Sequence, residues 1–314
     1  MGQAIGNEQN MRLFYLDLLR CIAIIFLLIS HIGLKLNSSF VYWGSIYGFY
    51  NASFGVVAVT IFLIISGAVL EYNYGNSTIN VPQFMIKRIL RIYPVYYLSL
   101  ILGICVFSFR SYYLTGSFLY NFKQLGLSDI ILSITASYAY VGQWGGPFVE
   151  TSWFIILIMT LYLIFPYLSK IIKKKPLNSF IVLLLISVSS RLIFSKFHLL
   201  LKNPLEWFPL CRLFEFSLGI YIAILFLNKK RNTIINSSFF SEIISFISIL
   251  SFPLFLFHYP LLFLLKLLPK YGLGQTTSII IYLFVSIFLS WIALKIDNKV
   301  PRKQIVNSFN KFFC

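Results

Sequence analysis

An arginine and a histidine stand eleven residues apart near the start of the chain, in a segment that runs from Tyr15 and Asp17 through Arg20 and an apolar stretch to Ser30 and His31. At 100° per residue the two side chains return to within about 20° of one another, on one helix face and roughly 16 Å apart along its axis. That face cannot point at lipid, because an arginine near the bilayer centre costs on the order of 3 kcal/mol or more. A neutral histidine can take the proton of a hydroxyl that attacks an activated acyl group. A fixed cation can orient a donor or stabilise developing negative charge. The pair reads as a site, which a purely structural scaffold would leave unexplained.

Three further groups of residues could carry chemistry. Lys87, Arg88 and Arg91 precede Tyr93 and Pro94, and in a helix they gather on one side, with Phe84 and the isoleucines toward the membrane. Such residues are ordinary interfacial anchors; the functional alternative is a phosphate-binding edge, since guanidinium groups grip phosphate bidentately. Pro94 is then expected to start the spanning helix. Arg212 and Glu215 sit three apart in an apolar run, where a self-neutralising clamp is preferred over catalysis by Glu215. Gly219 allows close helix contact there. His258 lies in a long apolar run between Pro253 and Pro260, which are expected to kink it, and a hydrogen-bonded packing role is preferred over catalysis. His198 reads as a solvated loop residue.

The elements that hold these groups are membrane spans. Hydrophobic residues make up 59% of the chain and charged residues 11%, with a mean hydropathy of +0.83, far from the roughly 25% charge of a soluble domain. Apolar runs of span length cover about 13–33, 52–72, 92–109, 152–169, 178–196, 207–228, 242–267 and 277–296. A shorter run at 127–141 either fails to cross or crosses with a partner hidden in 110–126. The expected fold is an all-α polytopic transmembrane bundle of about eight to ten spans. One membrane domain fills residues 1–314, with its core at about 14–296 and no separate soluble domain. The first span lacks a small-residue cleavage site and reads as a retained helix.

The net charge of +17 sits in short loops and tails, which explains it by topology and not by nucleic acid. Lys173, Lys174 and Lys175, then Lys229, Lys230 and Arg231, then Lys299, Arg302 and Lys303 follow the fourth, sixth and last spans. With Arg12 they place both termini in the cytoplasm. Cys21, Cys105, Cys211 and Cys314 are scattered and suggest packing. No serine-hydrolase elbow, metal-ligand cluster, paired carboxylates, phosphate-binding glycine loop or internal repeat is present, so hydrolysis and metal chemistry have little support.

In order along the chain, the motifs resemble the integral-membrane acyltransferase-3 family. They are Arg20 to His31 with Leu16 and Asp17; Phe62 to Ser66–Gly67; Arg88, Arg91, Tyr93 and Pro94; Trp153, Phe154, Tyr162 and Phe165–Pro166; Arg212 through Glu215 to Gly219; and Leu256 through His258 to Pro260. The resemblance implies an O-acyltransferase of the bacterial plasma membrane. It would move an acyl group, commonly acetyl from acetyl-CoA, to a hydroxyl of a surface polysaccharide or another envelope carbohydrate, including lipid-linked glycans. It further implies His31 as base with Arg20 as partner, and Arg88 and Arg91, with Lys87 beside them, as contacts for coenzyme A phosphates. Asp17, Glu150, Trp153, Arg212, Glu215 and His258 are supporting candidates. Many relatives carry a glutamate where this chain has Ile158 and Met159, and Glu150 is the nearby carboxylate. No metal is implied, and membrane lipid is the other partner. Two rival readings remain: a polyprenyl-linked glycan polymerase or carrier, expected to show a substantial outer loop, and a proton-coupled transporter, expected to show repeated halves. Dependence on acetyl-CoA separates both from an acyltransferase.

Overall fold

The computed structural model describes residues 14–37, 42–46, 50–196, 201–227 and 239–313. Arg12, His198, the cluster at 229–231 and Cys314 lie outside the described residues. The first helix, α1, spans Phe14–Lys35. Strands β1 (Tyr42–Ile46) and β2 (Tyr50–Ser53) form an antiparallel hairpin. Ser53 then caps α2 (Phe54–Tyr74), its hydroxyl accepting from the Val56 amide at 3.2 Å. There follow α3 (Val81–Thr115), α4 (Leu127–Thr135), α5 (Trp153–Lys174), α6 (Pro176–Lys196), α7 (Pro204–Trp207) and α8 (Leu213–Ile222), which runs on through a π-helical turn at Ala223–Leu227. The chain closes with α9 (Phe239–Leu261), α10 (Leu264–Leu267), α11 (Gln275–Asp297) and α12 (Arg302–Phe313).

Among the described residues, eight helical segments are long and apolar enough to cross a membrane. The all-α polytopic fold expected from hydropathy is therefore the one observed, with the short hairpin as a local exception. One buried apolar cluster passes through α1, α2, α3, α5, α8 and α9, from Ile24 and Leu63 to Phe165, Phe216 and Leu256. α4 has 9 residues, about 14 Å of helix, too short for a hydrocarbon layer of about 30 Å. Instead of crossing, it docks on α3: the Tyr93 hydroxyl donates to the Thr135 carbonyl at 3.0 Å, and the Tyr96 hydroxyl donates to that of Ser133.

The third span departs from expectation. Pro94 does not begin it but lies inside a single 35-residue helix. The helix begins earlier because Asn80 accepts from the Gln83 amide at 3.1 Å and Pro82 occupies the first turn. An internal proline has no N–H for the carbonyl four residues back, that of Leu90. Arg302 supplies the missing donor, its Nε lying 2.9 Å from that oxygen.

Two glycines let α2 and α8 meet backbone to backbone. A Cβ at Gly67 would lie 2.0 Å from the Phe216 carbonyl oxygen, and one at Gly219 would lie 1.9 Å from that of Ile64. Any side chain there forces the helices apart. Gly67→Val or Gly219→Val is expected to lower stability by about 1–3 kcal/mol or more, seen as a lower melting temperature of the detergent-extracted protein; Gly274→Ala, whose Cβ would meet only the Thr277 hydroxyl at 3.9 Å, is the comparison outside the contact.

Candidate active site

The last turns of α1 and α9 bring two histidines together. His31 Nδ1 lies 2.7 Å from His258 Nε2, and the rings are within 6° of coplanar. His258 Nδ1 lies 2.9 Å from the Leu254 carbonyl oxygen. A carbonyl can only accept, so the neutral His258 carries its proton on Nδ1 and leaves Nε2 as an acceptor. His31 must then donate from Nδ1, which leaves the lone pair on its Nε2. The chain His31, His258, Leu254 thus sets one tautomer at each ring. His258 is fully buried; His31 is half-buried and lines a cavity of about 240 Å³.

That cavity also holds Glu150, Glu206, Trp144, Trp153 and Tyr259. Tyr259 stands edge-on to His31, ring centres 5.3 Å apart, with Glu150 as its charged neighbour. Glu150 is held by close backbone packing: a Cβ on Gly145 would lie 1.5 Å from the Glu150 carbonyl oxygen, and the Ser152 hydroxyl donates to the Gly145 carbonyl at 2.6 Å. Trp144, at φ +65°, completes this turn and packs on Trp153 with ring centres 4.8 Å apart. Thr151, also in the cavity wall, is buried, and its hydroxyl has no hydrogen-bond partner among the described residues. A second cavity of about 290 Å³ adjoins the first, sharing Trp144 and Glu150 and adding Asp129, Gln143 and Lys202. Burial pushes the Tyr138 phenol in its wall up to about 12, Asp129 adding in the same direction, so the phenol stays a donor to Asp129 at 2.9 Å.

Arg20 is not beside His31. The helix rise separates them by roughly 16 Å along α1, and Arg20 pairs with buried Asp17 at 2.8 Å, which also accepts from Ser248 at 2.6 Å. Arg20 belongs to the opposite end of the bundle, where Arg88, Arg20 and Arg302 are charged neighbours of solvent-accessible Arg91. Arg88 donates to the Tyr74 hydroxyl at 2.8 Å, its guanidinium 5.2 Å from the Tyr74 ring centre and 5.3 Å from that of Phe84. Lys87 is half-buried beside it. The helix face that reads as one site in the sequence therefore reaches two opposite ends of the bundle.

Arg212 and Glu215 form more than a two-residue clamp. Glu215 Oε1 accepts from Arg191 at 2.6 Å and from Arg212 at 3.0 Å, and Arg212 also donates to the Glu206 carbonyl at 3.0 Å. That bond ties the cluster to the cavity wall. Arg191 went unremarked in the sequence although it interrupts an apolar span, the signal that demands an acidic partner. Glu71 of α2 went unremarked in the same way; it pairs at 2.6 Å with Lys173 of α5, which reads from the sequence only as a topological charge. Ile158 and Met159 are packed in the core, so the carboxylate near the histidines comes from Glu150, ahead of that helix. Glu215→Ala would leave two buried arginines facing each other, and is expected to cost about 3–5 kcal/mol; thermal unfolding in detergent checks this, with a smaller loss expected for Arg191→Met paired with Glu215→Gln.

A family model described as an acyltransferase domain matches residues 13–235, more than half of the chain and most of the spans. No curated protein and no solved structure matches it. The matched stretch holds His31 and Glu150 of the cavity and Arg20, Arg88 and Arg91 of the opposite end, and with eight candidate spans around them the chain belongs to the acyltransferase-3 family of membrane acyltransferases.

Proposed function

We propose that the protein moves an acyl group, most readily acetyl, from acyl-CoA to a hydroxyl of a cell-envelope carbohydrate, with the chemistry at His31. The single observation that carries this reading is the hydrogen-bond chain from His31 through His258 to Leu254, which leaves a basic nitrogen on a half-buried ring in a cavity. His31 Nε2 removes the acceptor hydroxyl's proton as its oxygen attacks the thioester carbon. The C–S bond then breaks, and the imidazolium returns the proton to the departing thiolate. While charged, His31 is stabilised by His258 Nε2, which accepts from its Nδ1–H. Thr151 supplies a hydroxyl donor for the oxyanion, the role that would partner its otherwise unpaired oxygen.

The acceptor enters the His31 cavity, whose paired tryptophans offer flat apolar faces to a sugar ring and whose Glu150 and Glu206 offer acceptors for its hydroxyls. The donor's phosphates bind at the Arg91 end, and its arm runs along α1 past Arg20 to His31. Lys173, Lys174, Lys175, Lys299 and Lys303 lie at that same end, which supports placing it in the cytoplasm of a bacterial plasma membrane.

Membranes bearing each variant, matched for amount and given acetyl-labelled coenzyme A with a panel of surface glycans, test this. His31→Ala is expected to lose on the order of 10²–10⁴-fold in transfer rate, and His258→Ala about 10–100-fold. Thr151→Val is expected to lose roughly 10²-fold in kcat with KM retained. Equal labelling by wild type and His31→Ala would remove His31 from the chemistry.

A further inference from the structure

Arg302 opens α12, beyond the stretch matched by the family model. Its guanidinium is fixed at two points. Nε donates to the Leu90 carbonyl at 2.9 Å, the oxygen orphaned by Pro94, and Nη2 is ion-paired with Asp297 at the end of α11. Leu90 is the residue before Arg91 and two after Arg88, so Arg302 is pinned to the turn of α3 that carries both. Its side chain remains 32% exposed. The two bonds engage Nε and Nη2 and leave Nη1 to meet an anion.

We propose that Arg302 is a binding residue for the donor's phosphates, completing from α12 the cation group formed by Arg20, Arg88 and Arg91. This rests on the reading of the Arg91 end as the acyl-CoA site and adds a residue to it. Coenzyme A carries a pyrophosphate and a ribose phosphate, several negative charges on separate groups. Arg20 is already paired with Asp17, and Arg88 is stacked on Tyr74 and bonded to its hydroxyl. A further guanidinium, immobilised before the ligand arrives, gives such an anion a preorganised donor at little cost in side-chain entropy. The orphaned carbonyl explains how the position is held. Pro94 frees the oxygen, and that oxygen fixes the angle of Arg302.

Two donors separate binding from architecture: acetyl-CoA, and S-acetyl-pantetheine, which has the same thioester and no phosphate. For Arg302→Gln, assayed in membranes at matched protein amount, KM for acetyl-CoA is expected to rise about tenfold, one charge-assisted hydrogen bond to a partly exposed anion. KM for S-acetyl-pantetheine stays within about twofold on the same ground. If Arg302→Gln fails to accumulate, Arg302→Lys is read with the same donors and is expected to show the same selectivity at smaller size. A variant that changes both donors alike, or neither, overturns the assignment. Arg91→Gln run alongside keeps the two failures apart. If it weakens acetyl-CoA selectively and the Arg302 variant does not, only the role of Arg302 falls. If Arg91→Gln is equally indifferent to the phosphates, the donor-site reading falls with it.

Discussion

A polar group inside an apolar bundle has no water to fall back on, so each one must find its partner within the protein or open onto a wet cavity. Asp17 holds Arg20 and Ser248 across α1 and α9. Glu215 holds Arg191 and Arg212 across α6 and the start of α8. Lys173 reaches Glu71 between α5 and α2. Arg302 meets an orphaned carbonyl of α3. Between them these pairings join most of the spans. Among the described residues, polar side chains also line the His31 cavity and the one that adjoins it, and gather in the arginine group around Arg91.

The histidine pair follows the same rule. His258 is fully buried, and its two nitrogens can be satisfied only by one acceptor and one donor. The Leu254 carbonyl, four residues back on its own helix, is the acceptor, and His31 is the donor. Burial thus dictates the tautomer of His258, and His258 dictates that of His31. The arrangement resembles a base held by a second, orienting residue, with a neutral ring in place of the usual carboxylate.

Much of this was legible in the residues. The number and placement of spans follow from apolar run length, and the shared face of Arg20 and His31 from helix periodicity alone. What the chain could not disclose was partnership between helices distant in sequence. His258 reads as packing until α9 is set against α1. Arg191 and Glu71 are visible as lone charges in apolar runs, but their partners lie 24 and 102 residues away. The continuous α3 escaped because a proline ordinarily ends or starts a helix, and the carbonyl it frees is partnered by Arg302, from the far end of the sequence. Glu150 sits ahead of its helix, and its place beside Tyr259 depends on a tight turn at Gly145 that spacing does not reveal.

The two polar regions stand at opposite ends of the bundle, and under the proposed function donor and acceptor meet the protein from those opposite ends. Sealed proteoliposomes of known protein orientation, with labelled acetyl-CoA confined to one compartment and glycan acceptor to the other, test that most directly. Label appearing on the glycan when acetyl-CoA faces the Arg91 end and the glycan faces the His31 end is the predicted result. Transfer that occurs only when both substrates share one compartment would contradict it.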